Sequence, residues 1–203
     1  ALNNYGVRIY ISEYISRYSL FQLWAFISAN LVLIDRFFVN KLGESGDLAM
    51  YTYLAMIANA VLILHRVLYV EERRHSLISF DSLSTAMFNY KNLSYPFVLA
   101  VSVFIAVVLM SIAGLNELKG SYFLISMLLL AGYFNAVSSI LIEWCFWHGR
   151  VSKLIAIDMF VLCIASFSMY AMPEINSVAT ILAGVLAIRL LSLLVYSNSI
   201  RLG

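Results

Sequence analysis

The chain has 203 residues, of which 63% are hydrophobic and 12% charged, with a mean hydropathy of +0.89. A soluble domain is about half apolar and about a quarter charged, so this composition excludes one and indicates a membrane protein. The formal net charge of +2 argues neither for nor against a nucleic-acid partner, and none is expected.

Residues 5–18 place Val7, Ile11, Tyr14, Ile15 and Tyr18 on one helical face and Arg8, Ser12, Ser16 and Arg17 on the other. That pattern predicts an amphipathic helix over 1–18, either lying at the membrane surface or extending the first span. Six apolar runs follow, at 19–42, 48–70, 94–115, 122–147, 154–172 and 178–196. Each is near the roughly 20 residues needed to cross hydrocarbon. Most connectors are short, so neighbouring helices should run antiparallel. The exception, 71–93, opens on Glu71-Glu72-Arg73-Arg74-His75 and is expected to hold a short interfacial helix. The fold class predicted is all-α, a polytopic six-transmembrane-helix bundle over 19–203.

Arg8, Arg17, Arg73, Arg74, Lys91, Arg150, Lys153 and Arg201 fall on one side of this arrangement, and only Lys41 and Lys119 on the other. Lys and Arg accumulate on cytoplasmic loops, so both termini and the 71–93 connector should be cytoplasmic. Asn92-Leu93-Ser94 matches a glycosylation sequon but lies on that side against the bilayer, and is read as chance. Cys145 and Cys163 sit inside apolar runs and read as packing residues. His65, His75 and His148 have no metal-ligand spacing. No Gly-rich phosphate loop or Ser/His/Asp pattern occurs either, so the chain reads as a non-enzyme without a cofactor.

The block Asp35-Arg36-Phe37-Phe38-Val39-Asn40-Lys41-Leu42-Gly43, followed by Ala49-Met50-Tyr51-Thr52-Tyr53-Leu54-Ala55, resembles a repeat-opening helix pair of the multidrug/oligosaccharidyl-lipid/polysaccharide exporter superfamily. Ala131-Gly132-Tyr133-Phe134-Asn135-Ala136-Val137-Ser138-Ser139, then Trp147-His148-Gly149-Arg150, resembles the fourth span of the same half. Within the superfamily the likeness is to bacterial polysaccharide flippases of the O-antigen and capsule type. It covers nearly all of the chain and half of the family's two-lobed fold, as a C-terminal lobe. The resemblance implies transport of a lipid-linked oligosaccharide across the inner membrane by alternating access. It also implies a coupling ion, H+ or Na+, and either a missing N-terminal lobe or a second copy of the chain as partner, besides membrane lipids.

Ionisable side chains are costly in hydrocarbon, so those inside the spans are the candidate site residues. By helix rise, Arg66, Glu143 and Asp158 lie within about one turn of the same depth. Arg66 is expected to pair with Glu143, or else with Asp158, as a static bridge or a gate. Arg189 lies near the middle of the last span, with no acidic residue predicted at its depth. It should either fork onto a phosphate or bond carbonyls or the side chains of Asn59 or Asn135. Asp35 and Arg36 point about 100° apart and need separate partners. Arg36 is expected to line a cavity, and Asp35 to accept a hydrogen bond, with Tyr51 or Tyr53 as donor. Asn30, Asn59 and Asn135 sit near mid-span, where such residues bridge helices or bind ligand.

Four functions compete. A flippase lobe needs Arg36 and Arg189 inward. A cation-coupled multidrug exporter needs Asp35 inward and Arg189 turned away. A membrane enzyme acting on lipid-linked sugars would need clustered acid/base groups, such as Glu143 with His148, which are five apart and converge poorly. A non-transporting membrane scaffold needs none of these.

Overall fold

The computed structural model describes residues 4–42, 45–68, 90–113, 121–148, 150–172 and 174–201. They form six helices: α1 (Asn4–Leu42), α2 (Ser45–Leu68), α3 (Tyr90–Ile112), α4 (Tyr122–Trp147), α5 (Val151–Ala171) and α6 (Ile175–Arg201). The described residues contain no strand, as expected of backbone in hydrocarbon, where a helix satisfies its own N–H and C=O groups. Five helices, α2 to α6, are long and apolar enough to cross a membrane. The count becomes six when the two halves of α1 are one span. The interfacial helix expected in 71–93 lies outside the described residues except for the start of α3.

Helix α4 is the axis of the bundle: 72% of its span is buried, and it packs against α2, α3 and α6. Helix α1 packs chiefly along α5, and α3 is peripheral, with only 17% of its span buried. Small residues set the closest approach. A Cβ built on Gly132 would stand 2.8 Å from the Ala58 carbonyl oxygen, so α2 and α4 meet there backbone to backbone. The core around this crossing is aliphatic, with Leu31, Val39, Leu54, Val61, Ile125, Val161, Val178 and Leu186 buried. The outer faces carry Phe26, Phe37, Met56, Phe97, Phe167 and Tyr170, large apolar side chains suited to lipid.

Helix α1 is continuous in hydrogen-bonding pattern but turns by 41° between its Tyr18–Leu31 and Leu33–Lys41 halves. The amphipathic stretch 5–18 therefore runs on as helix into the first span, and the bend comes deeper. Four residues past Val32, the Arg36 backbone N–H donates to Asp35 Oδ1 at 2.8 Å. In a straight helix that N–H serves the carbonyl four residues back, so a carboxylate competing for it is a recognised cause of bending.

Candidate functional site

Two polar clusters are buried between the helices, and they touch. The first belongs to the helix pair that the sequence singled out. Asp35 on α1 is 2% exposed and accepts a hydrogen bond from the Tyr51 hydroxyl on α2, Oη to Oδ2 2.8 Å. Tyr51 is the expected donor; Tyr53, the other candidate, is 59% exposed on the outer face. Arg36, one position on, is half-buried and lines a cavity of about 30 Å³. Asp35 from α1, Asn59 from α2, Gly132 and Asn135 from α4, and Leu182 and Leu186 from α6 complete the wall. Arg36 Nε is buried there without a hydrogen-bond partner. The structure thus gathers Asp35, Arg36, Asn59 and Asn135 around one opening in the interior. Replacing Tyr51 by Phe leaves Asp35 Oδ2 without its donor, and should cost about 1–3 kcal/mol of stability. Thermal unfolding of the purified chain would register it; an unchanged midpoint would mean the bond contributes nothing.

The second cluster was only partly expected. Arg189 on α6 is 2% exposed and forks onto Asp158 on α5, which is fully buried. Nε donates to Oδ1 at 2.7 Å and Nη2 to Oδ2 at 2.6 Å. Trp24 Nε1 on α1 donates to the same Oδ2 at 2.9 Å, so both carboxylate oxygens are engaged by three N–H groups. Arg189 Nη1 reaches Asn135 Oδ1 on α4 at 3.5 Å, a long contact that joins this cluster to the cavity. Four helices are tied by one carboxylate and one guanidinium.

This arrangement corrects the predicted pairings. Arg189 does have an acidic partner at its depth, and Asp158 is committed to it rather than to Arg66. Arg66 stands exposed near the end of α2 and forms no ion pair among the described residues. Glu143 is half-buried on α4. The error lay in the helix ends. Helix α5 starts at Val151 and α6 runs to Arg201, so from those ends Asp158 stands 7 residues in and Arg189 stands 12. Measured instead from the facing helix ends, Asp158 lies 13 residues before Ala171 and Arg189 lies 14 after Ile175. Both are about 20 Å from those ends by helix rise, and so at one level. Pro173 marked the turn in the sequence, so counting from it would have matched the pair. Trp24 was missed entirely; its signal is that a buried indole N–H needs an acceptor at its own depth.

Two sequence features resolve as structural. Asn92, in the sequon, is fully buried, and its Oδ1 lies 3.1 Å from His65 Nε2, joining α3 to α2. His148 follows the last turn of α4, with Nδ1 3.0 Å from the Trp144 carbonyl oxygen. Among the described residues no group of His, Cys, Asp and Glu is placed to hold a metal.

Several of these helices are long and apolar enough to cross a membrane, and they hold charged and amide groups inside the bundle, the make-up of a multi-pass membrane protein. Compared with protein-family models, with curated proteins and with solved structures, the chain matches none.

Proposed function

We propose that this chain is one lobe of a bacterial inner-membrane flippase. It would carry a lipid-linked oligosaccharide across the bilayer by alternating access, with both termini cytoplasmic. The observation that supports the reading is the convergence of Asp35, Arg36, Asn59 and Asn135 on one interior cavity, with a buried Arg36 Nε that has no partner. A guanidinium kept in a lipid-surrounded bundle suits a ligand that brings its own negative charge, as a pyrophosphate does. Arg36 takes the phosphate-facing role in this reading. Arg189 does not, because Asp158 already occupies two of its donor nitrogens. Arg189 then positions Asn135 at the cavity wall.

The inward Asp35 favours a second reading, a cation-coupled multidrug exporter using H+ or Na+, although Arg189 lies inside, paired with Asp158, and is not turned away as that reading requires. The full chain, reconstituted in liposomes with whatever second lobe or second copy it requires, separates the two. Arg36→Ala should lower translocation of a fluorescent lipid-linked oligosaccharide at least about tenfold, the effect of losing one charge-assisted contact of about 1.5–3 kcal/mol. Efflux of a cationic dye that depends on Asp35 and not on Arg36 would favour the exporter. Neither activity in a folded chain would leave a membrane scaffold.

A further inference from the structure

A wide groove lies away from the polar interior, on the outer surface between α5 and α6. Its volume is about 570 Å³. Ile157, Ile188 and Leu191 form its floor and walls, with Leu191 60% exposed to the surroundings. Lys153, Ser192 and Tyr196 line it as well. The two helices are antiparallel, so Lys153, near the start of α5, lies at the same end as Tyr196, late in α6. The groove is therefore graded: a cation and hydroxyl groups at one end, and only hydrocarbon at the other. Along α6 the lining runs from Ile188 to Tyr196, about 12 Å by helix rise. Arg150, exposed at the N-cap of α5, adds a second cation one turn from Lys153.

We infer that this groove is a binding site for an anionic phospholipid. One acyl chain would lie along Ile157, Ile188 and Leu191, with the phosphate at Lys153. The charge decides the occupant. A purely apolar helix would leave the cationic end unmatched, whereas a lipid carrying net negative charge matches both ends in one molecule. Basic sites between spans on the side rich in Lys and Arg are where anionic headgroups collect. The inference is independent of transport, since no cavity residue contributes to the groove.

The test is a lipid titration of the full chain in detergent, read by native mass spectrometry and by thermal shift. Phosphatidylglycerol should bind and raise the unfolding temperature, while phosphatidylcholine, with the same acyl chains, should bind at least about fivefold more weakly. Lys153→Gln, at an exposed position, should weaken phosphatidylglycerol binding by about the same factor, the share of one basic residue. Leu191→Trp should fill the groove and weaken it too, with the detergent-only unfolding temperature unchanged. Equal binding of the two lipids, or indifference to either substitution, would overturn the inference. So would inorganic phosphate alone reproducing the shift, because the site would then read a free anion rather than a lipid.

Discussion

Replacing Asp158 by Ala is expected to lower the unfolding temperature of the purified chain by about 10 °C. The substitution leaves the Arg189 guanidinium, 2% exposed, with no counter-charge and only the long contact to Asn135. Removing one partner of a buried ion pair costs about 3–5 kcal/mol. For a chain of this length each kcal/mol shifts the midpoint by about 2–4 °C. Trp24 Nε1 loses its acceptor at the same time, so α1 should loosen from α5. The double substitution Asp158→Leu with Arg189→Met is expected to recover most of the loss, because apolar side chains of similar size often replace a buried pair at little cost. It should also keep translocation if the pair is a fixed tie between helices. A stable double variant that no longer transports would make the pair a moving gate instead.

The second large effect concerns the α2–α4 crossing. Gly132→Ala should destabilise by about 1–3 kcal/mol even though Ala is the better helix former by about 1 kcal/mol. The added methyl would meet the Ala58 carbonyl oxygen at 2.8 Å, and a backbone atom cannot swing aside as a side-chain end can. The two helices must part, and the cavity wall moves with them. Gly184→Ala on α6 is the matched control: a Cβ there meets nothing within 4 Å. It should be neutral or stabilising by up to about 1 kcal/mol. Opposite signs for two identical exchanges in one protein are the expected result. Equal effects would show that the close approach at Gly132 is relieved at no cost.

The six helices were legible because apolar run length is a direct consequence of bilayer thickness, and the fourth run, 122–147, matches α4 residue for residue. A hydrogen-bond donor for Asp35 was expected from the cost of a carboxylate in hydrocarbon, with Tyr51 and Tyr53 both open, and Tyr51 makes the bond. Pairing across distant helices did not follow. Depth was reckoned from apolar boundaries, but α5 and α6 continue as helix beyond them, through Ser152 and Lys153 at one end and Ser197 at the other. From those ends Asp158 and Arg189 stand 7 and 12 residues in, about 7.5 Å apart in depth, whereas from the facing ends at Ala171 and Ile175 they stand 13 and 14 in. The bend in α1 was also illegible, since no Pro or Gly marks it and its associated feature is a side chain turning back on its own backbone. Nor does hydropathy report helix azimuth, which is why Trp24 reaching Asp158 had to await coordinates.

The central claim is that Asp35, Arg36, Asn59 and Asn135 surround a space that polar ligands enter. Cysteine accessibility at position 59 in native membranes tests it most directly. Asn59→Cys would be made in a chain with Cys145 and Cys163 replaced by Ser, with Phe97→Cys, at a position 59% exposed on the outer face, for comparison. The account predicts that a charged, water-soluble thiol reagent modifies position 59 but not position 97, and that added lipid-linked oligosaccharide slows the reaction at 59. Position 59 remaining unreactive in a folded chain, or reacting at a rate that the ligand leaves unchanged, would contradict it.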